Sequence, residues 1–153
     1  MLYNAFILPH ITYGLEVWGA AQKTFVNRIL MLQKKITRII CFKPYNFHTV
    51  LLFHDLKIID VFKLYRLMIA TFVHDLINDK LPHSFTDYFT HVSHSYETRA
   101  KGNCNINLID IRTNLGRQTV SFSGAQIWNM LPIELRNVKS RKKFRKLFNE
   151  NLL

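Results

Sequence analysis

Apolar residues recur with a helical period through the first half of the chain. From Thr24 onward they are separated by four, three, four and three residues, the spacing of one helical seam. The seam comprises Phe25, Ile29, Leu32, Ile36 and Ile39 and is expected to pack inward. Pro44 is predicted to end this helix because proline lacks the amide hydrogen that a helix needs. A second long helix is predicted over residues 60–79, with Asp60 as its N-cap and apolar residues on nearly all of its faces.

Shorter helices are predicted on either side of these two. Residues 2–18 form a helical pattern that Pro9 interrupts, and residues 48–56 fit one short helix. Another short helical face follows residue 81 and contains three aromatic residues, Phe85, Tyr88 and Phe89. A last helix is predicted after Ser140, which can serve as its N-cap. One face of that helix carries Phe144, Leu147, Phe148 and Leu152.

The region between these helices has a weaker pattern. Residues 91–107 are polar and predict a loop or an extended arm. Six residues on either side of the turn-prone residues 114–116 predict a small hairpin or edge strands. They are Ile106, Leu108, Ile111, Thr119, Val120 and Phe122. The sequence therefore predicts a mainly α, helical bundle-like fold with a small β element in the second half, and residues 1–153 as a single domain.

Positive charge is concentrated in the second half of the chain. The formal net charge is +11, and residues 99–153 hold 11 basic and 3 acidic residues. A basic surface attracts phosphate backbones and anionic lipids alike, so charge alone does not name the partner. The hydrophobic share of 48% is large enough for a packed core and excludes a wholly disordered chain.

The densest basic cluster lies at the start of the last predicted helix. Its six residues are Lys139, Arg141, Lys142, Lys143, Arg145 and Lys146. Cations in a first helical turn face the positive end of the helix dipole, which costs about 0.3–1 kcal/mol per charge. Local stability therefore does not explain them, and phosphate contact is the favoured interpretation. A solvated face that maintains solubility, or a localisation signal read by an import receptor, are the alternatives.

Further basic residues extend the predicted nucleic-acid interface. A second stripe on the first long helix comprises Arg28, Lys34, Lys35 and Arg38. Arg112 and Arg117 flank the turn-prone segment and are candidates for backbone contacts. Tyr96 stands beside Arg99 in the polar arm and is the candidate for base stacking. The aromatic residues Tyr65, Phe72, Trp18 and Trp128 lie in apolar patterns, which favour core packing.

Catalytic and metal-binding patterns are absent from the sequence. His91, His94 and Cys104 form the closest metal-ligand grouping, but no fourth residue completes a zinc site, so neither a metal nor a cofactor is expected. Two-metal chemistry requires clustered carboxylates, whereas the aspartates here are scattered. Asp75 and Asp79 are expected in a solvated helix end. The sequence thus predicts no enzymatic activity for the chain by itself.

The cysteines, the apolar runs and the N-terminus indicate the cellular compartment. Two cysteines give no disulfide framework, which indicates a reducing, intracellular compartment, either nucleus or cytoplasm. No apolar run reaches the length that crosses a bilayer, and the N-terminus lacks the basic region of a signal peptide. We therefore expect no membrane association.

Five motifs occur in a characteristic order. They are residues 9–19 (PHITYGLEVWG), 32–40 (LQKKITRII), 81–85 (LPHSF), 94–99 (HSYETR) and 124–132 (GAQIWNMLP). Each motif is weak alone, but the series resembles the C-terminal region, thumb and post-palm, of reverse transcriptases from non-LTR (LINE-type) retrotransposons. The resemblance spans essentially the whole chain.

The resemblance implies a function that the residue pattern alone does not. In that family this region grips template and primer beside an RNA-directed DNA polymerase palm, so Lys34, Lys35 and Arg38 would contact the primer–template backbone. The catalytic aspartates of the family have no counterpart here. The implied partners are an RNA–DNA hybrid or RNA, and the missing polymerase core. The alternatives are a helical protein-interaction module, whose basic tail docks on an acidic partner, and a truncated copy without function.

Overall fold

The computed structural model describes residues 2–89 and 105–152, and this part of the chain is mainly helical. Its α-helices are α1 (Leu8–Thr12), α2 (Leu15–Trp18), α3 (Lys23–Ile40), α4 (Thr49–Asp55), α5 (Val61–Ile77), α6 (Val120–Asn129), α7 (Ile133–Arg136) and α8 (Arg141–Leu152). A π-helix covers Tyr3–Ile7, and 3-10 helices cover His83–Tyr88 and Gly116–Gln118. The mainly α prediction is confirmed.

The described residues form two compact units, residues 2–65 and residues 66–152, and the boundary falls within α5. Helix α5 begins after Asp60, whose carboxylate accepts a hydrogen bond from the Lys63 amide (2.9 Å). The predicted N-cap is therefore confirmed. Most residues of α5 are buried, as its apolar pattern on nearly all faces predicts.

The N-terminal helical segment is interrupted, as the sequence predicts. Pro9 is the second residue of α1, a position where a missing amide hydrogen costs little, and the π-helix precedes it. The chain breaks after α1 at Gly14, which adopts a left-handed conformation (φ 60°). The indole nitrogen of Trp18 donates to the Tyr13 carbonyl (2.8 Å) and closes this turn.

A buried glutamine joins three segments of the first unit. Gln33 on α3 donates through Nε2 to the Tyr3 hydroxyl oxygen (2.6 Å) and to the Ile59 carbonyl (2.8 Å). Its Oε1 accepts a hydrogen bond from the Val61 amide (3.2 Å). The whole side-chain amide is therefore satisfied, which is the condition for burying it. Burial raises the pKa of the Tyr3 phenol, and the hydrogen bond from Gln33 opposes part of that rise.

The buried face of α3 differs from the predicted one. The residues that are buried are Val26, Gln33 and Thr37, and Ile29 and Ile36 of the predicted seam are only half-buried. The other three seam residues are exposed: Phe25, Leu32 and Ile39, at 57%, 58% and 63%. At 3.6 residues per turn, the buried stripe is rotated by about 100° from the seam, or one residue. The prediction that the whole seam packs inward is wrong.

The predicted β element is also wrong, since the described residues contain no strand. Of the six residues assigned to it, Val120 and Phe122 lie in α6 and Thr119 precedes α6. Ile106 is an isolated bridge residue, and Leu108 and Ile111 lie in irregular structure. Polar and apolar residues alternate only from Thr119 to Phe122, and the helical spacing of apolar residues that follows is longer and determines the structure. That spacing is visible in the buried residues of α6, which are Gly124, Ala125, Ile127 and Trp128.

The middle and the C-terminal end of α6 make different contacts. A Cβ added to Gly124, in the middle of the helix, would lie 2.7 Å from the Phe89 ring and 3.1 Å from a Val73 methyl, so this position admits only glycine without rearrangement. At the C-terminal end, the side-chain amide of Asn129 donates to the Ile106 carbonyl (2.8 Å) and accepts from the Ile106 backbone amide (3.0 Å). Arg136 donates to the Leu131 carbonyl (2.8 Å) and so satisfies one of the carbonyl groups that follow the helix.

Candidate nucleic-acid interface

An ion pair between a buried carboxylate and an exposed arginine anchors the start of α8. Asp75, near the end of α5, is 4% exposed, and Arg141 donates from Nε to its Oδ2 (3.1 Å). The expectation that Asp75 lies in a solvated helix end is therefore wrong. Because a buried carboxylate is costly without a partner, the pair explains a cation in the first turn of α8, where the helix dipole disfavours it.

His74 adds a second link between α5 and the segment before α8. Its Nδ1 lies 3.2 Å from Asp75 Oδ1, and its Nε2 lies 2.6 Å from the Val138 carbonyl. The two ring nitrogens therefore lie beside oxygen atoms of two different segments. The ring stacks on Phe144 of α8 with centroids 4.5 Å apart. Lys80 also donates from Nζ to the Lys139 carbonyl (2.8 Å).

These contacts fix which face of α8 points outward. Phe144 and Phe148 are buried, which confirms two of the four residues in the predicted apolar face, while Leu147 is half-buried. The burial of the fourth, Leu152, lies outside what the structure describes. With the helix held by this face, Lys142 and Lys146 project from the opposite side.

The basic cluster of α8 thus divides into different environments. Lys142, Lys143 and Lys146 are exposed, and none of them makes an ion pair with any residue that the structure describes. Arg145 is half-buried and Lys139 is exposed. Positions 142 and 146 are one helical turn apart, about 6 Å along the axis. We call Lys142, Lys143 and Lys146 the lysine row.

The remaining sequence-predicted cations of the second unit lie near a turn. Arg112 and Arg117 are both exposed, and Arg117 donates from Nε to the Ile111 carbonyl (3.2 Å). This hydrogen bond holds the arginine against its own turn. Arg99, Tyr96 and the grouping of His91, His94 and Cys104 lie outside the described residues. Within the described ranges, no three potential ligands gather where a metal ion could be held.

The basic residues of α3 belong to the first unit. Arg28 lies over the Phe25 ring (5.7 Å to the centroid), and Arg38 lies over the Tyr45 ring (5.6 Å). Arg38 also donates from Nε to the Phe47 carbonyl (2.9 Å). Three of the predicted cations, Arg28, Lys35 and Arg38, line a groove of about 580 Å³ together with Met31, Leu32 and Tyr45. Lys34 is half-buried and does not line it.

Sequence reasoning missed the structural use of two charged residues in the second unit. Arg136 donates to the Leu131 and Asn129 carbonyls and to Asn105, so its guanidinium organises the end of α6. Asp75 pairs with Arg141, a residue assigned to phosphate contact. An unexplained cation in the first turn of a helix was the signal for such a pair, but it did not identify the partner. The core prediction for Trp128 is confirmed, since its side chain is fully buried.

Part of the chain is similar in sequence to retrotransposon RNA-directed DNA polymerases. One similar protein is the RNA-directed DNA polymerase from mobile element jockey of Drosophila melanogaster, which is 37% identical over 57 residues. The aligned region covers 37% of this chain and 6% of that protein, so the chain spans only a small fraction of its relative. No family model and no solved structure matches the chain. Among the described helices, none has the length and hydropathy to cross a bilayer.

Proposed function

We propose that the chain is a nucleic-acid-binding segment of the retrotransposon polymerase type, corresponding to the thumb and post-palm region. The observation that carries the proposal is the lysine row, which stands on the solvent side of a helix that buried contacts hold in place. The similarity to a retrotransposon RNA-directed DNA polymerase supports the choice of nucleic acid over other polyanions. The preferred partner is an RNA–DNA hybrid or RNA.

Binding by this helix is sequence-independent in our proposal. Lysine ammonium groups on an exposed helix face neutralise phosphates, and such contacts carry no base information. The anchor on the inner face supports binding because contacts within the chain hold the helix that presents the row. Less ordering entropy is then lost on contact.

The chain has no polymerase activity of its own in this proposal. Two of the aspartates already have structural partners, since Asp60 caps α5 and Asp75 pairs with Arg141. Catalysis would require the palm of a complete polymerase, and the missing polymerase core is the second partner that we propose. The chain then contributes grip on primer and template.

The test measures binding of the full chain to a labelled RNA–DNA hybrid across a salt series. The variant changes Lys142, Lys143 and Lys146 together to glutamine. Each phosphate contact contributes about 0.7–0.9 to the slope of log affinity against log salt, so loss of three contacts lowers the slope by about 2–3. We expect affinity at low salt to fall by at least tenfold.

A matched control separates this site from general charge. Lys23, Lys43 and Lys57 are exposed, and their change to glutamine removes the same three charges elsewhere. This control should retain most of the binding. Equal losses of affinity in both triple variants would refute the lysine row as the site. An affinity that does not change with salt concentration would refute phosphate contact altogether.

A further inference from the structure

The exposed seam of α3 has the repeat of a coiled coil. Its five residues follow spacings of four and three, which place them at alternating d and a positions of heptads written abcdefg. Phe25, Leu32 and Ile39 are the d positions, and more than half of each side chain is exposed. Ile29 and Ile36 are the a positions and are half-buried. An apolar heptad seam that remains in water is the surface on which a second helix packs.

The charges beside the seam indicate the character of that second helix. Arg28 and Lys35 occupy the two g positions, one heptad or about 10.5 Å apart along α3. They line the groove of about 580 Å³ next to the seam. Residues at g pair with flanking residues of the facing helix, where opposite charges select the partner. A partner helix with acidic residues one heptad apart matches this spacing in either direction.

A second copy of the same helix does not fit. Residues 23–40 contain no aspartate or glutamate. In an antiparallel pair of these helices, the cations at g would face each other. In a parallel pair, they would face the e positions of the second copy. Those positions are Val26 and Gln33, which are uncharged and buried in their own unit. Like charges across such a seam disfavour association. Charge therefore argues for a different, acidic partner.

Nucleic acid also fits this face less well than it fits the lysine row. A phosphate backbone would leave Phe25, Leu32 and Ile39 in water, whereas a helix would bury them. The arginines of this face are already placed over aromatic rings, Arg28 over Phe25 and Arg38 over Tyr45. Among the described residues, the first unit exposes twelve large apolar side chains and the second exposes six, so protein contact is expected on the first.

We propose that α3 docks one amphipathic helix of another protein, packed in coiled-coil fashion on Phe25, Leu32 and Ile39, with acidic residues against Arg28 and Lys35. This site is separate from the lysine row and does not depend on nucleic-acid binding. It assigns Arg28 and Lys35 to a protein partner rather than to phosphate.

The test uses a labelled peptide of about 21 residues, three heptads, with leucine at a and d and glutamate at e and g. Binding to the full chain is measured by fluorescence anisotropy. Leu32→Glu should weaken binding by at least tenfold, because a buried leucine contributes that much and the new charge opposes the peptide. Val50→Glu is the matched control, since Val50 is an exposed apolar residue of the same unit, and it should bind as the parent chain does.

Charge reversal provides a second and independent readout. The variant Arg28→Glu/Lys35→Glu should lose the glutamate-flanked peptide and gain a lysine-flanked one. The glutamine variant of the lysine row should bind the glutamate-flanked peptide normally, which separates this proposal from the nucleic-acid proposal. Circular dichroism checks that each variant retains its helices.

Four results would overturn the proposal. The first is equal binding of a peptide that has the same composition but has its leucines moved off the seam. The second is a charge-reversed variant that still prefers the glutamate-flanked peptide. The third is a dimer in sedimentation that Leu32→Glu dissociates, since a second copy would then be the occupant. The fourth is a Leu32→Glu variant that still binds the peptide but no longer binds the hybrid, since the face would then be a nucleic-acid surface.

Discussion

Replacing Gln33 by methionine should be among the most damaging conservative changes in the first unit. Methionine has nearly the same length and volume but neither donates nor accepts these hydrogen bonds. The Tyr3 hydroxyl, the Ile59 carbonyl and the Val61 amide each lose their bond to Gln33. A buried polar group left unsatisfied costs about 1–3 kcal/mol. After partial relaxation we expect a loss of about 3–5 kcal/mol in unfolding free energy.

The assay is urea unfolding followed by Trp18 fluorescence, with Trp128→Phe as a common background so that the signal comes from the first unit. Leu32→Met, at the exposed neighbour of Gln33, is the control and should change stability by less than about 0.5 kcal/mol. Tyr3→Phe alone should cost about 1 kcal/mol, and the double variant should cost less than the sum because the two residues share a hydrogen bond. A Gln33→Met loss below about 1 kcal/mol would refute the network.

Two further predictions concern ionisable groups. Because burial raises the pKa of Tyr3 above its ordinary value of 10.0, the unfolded chain loses this proton first, and stability falls as pH rises from about 10 through the folded pKa. In Tyr3→Phe, the free energy of unfolding measured at about pH 8 to 11 should fall less with pH than in the parent chain. An unchanged pH profile would contradict the raised pKa of Tyr3. Asp75→Asn should lower stability by about 1–3 kcal/mol, because Arg141 and His74 lose a charged partner. Lys142→Gln in the same thermal or urea scan should cost less than about 0.5 kcal/mol, and equal losses would contradict a structural role for the ion pair.

The sequence predicts helices here better than it predicts their orientation. The start of α5 follows from Asp60, whose capping preference is a local property. The buried face of α3 does not follow from local pattern, because apolar residues occupy two adjacent faces and the inner one contains Gln33 and Thr37. These polar residues are buried because hydrogen bonds satisfy them, for example Thr37 Oγ1 to the Gln33 carbonyl (2.8 Å). Hydropathy does not report such bonds.

The candidate site shows the same limit. Six cations around residue 140 predict a basic helix, and α8 begins at Arg141. Their division into an arginine that pairs with a carboxylate and the outward lysine row depends on Asp75, which is 66 residues away in sequence. A contact between residues so far apart in sequence produces no periodic pattern from which it could be predicted. The predicted hairpin failed for a related reason, since four alternating residues fit a strand and the first turn of a helix equally well.

The two hydrogen bonds between Asn129 and Ile106 imitate the exchange that paired residues make in an antiparallel sheet. A real ladder has a register, and slipping by one residue turns every side chain to the other face. Here two side chains hold the segment at neighbouring residues, Asn129 at Ile106 and Arg136 at Asn105. The attachment therefore depends on the identity of these side chains, and aspartate at position 129 would lack the donor to the Ile106 carbonyl.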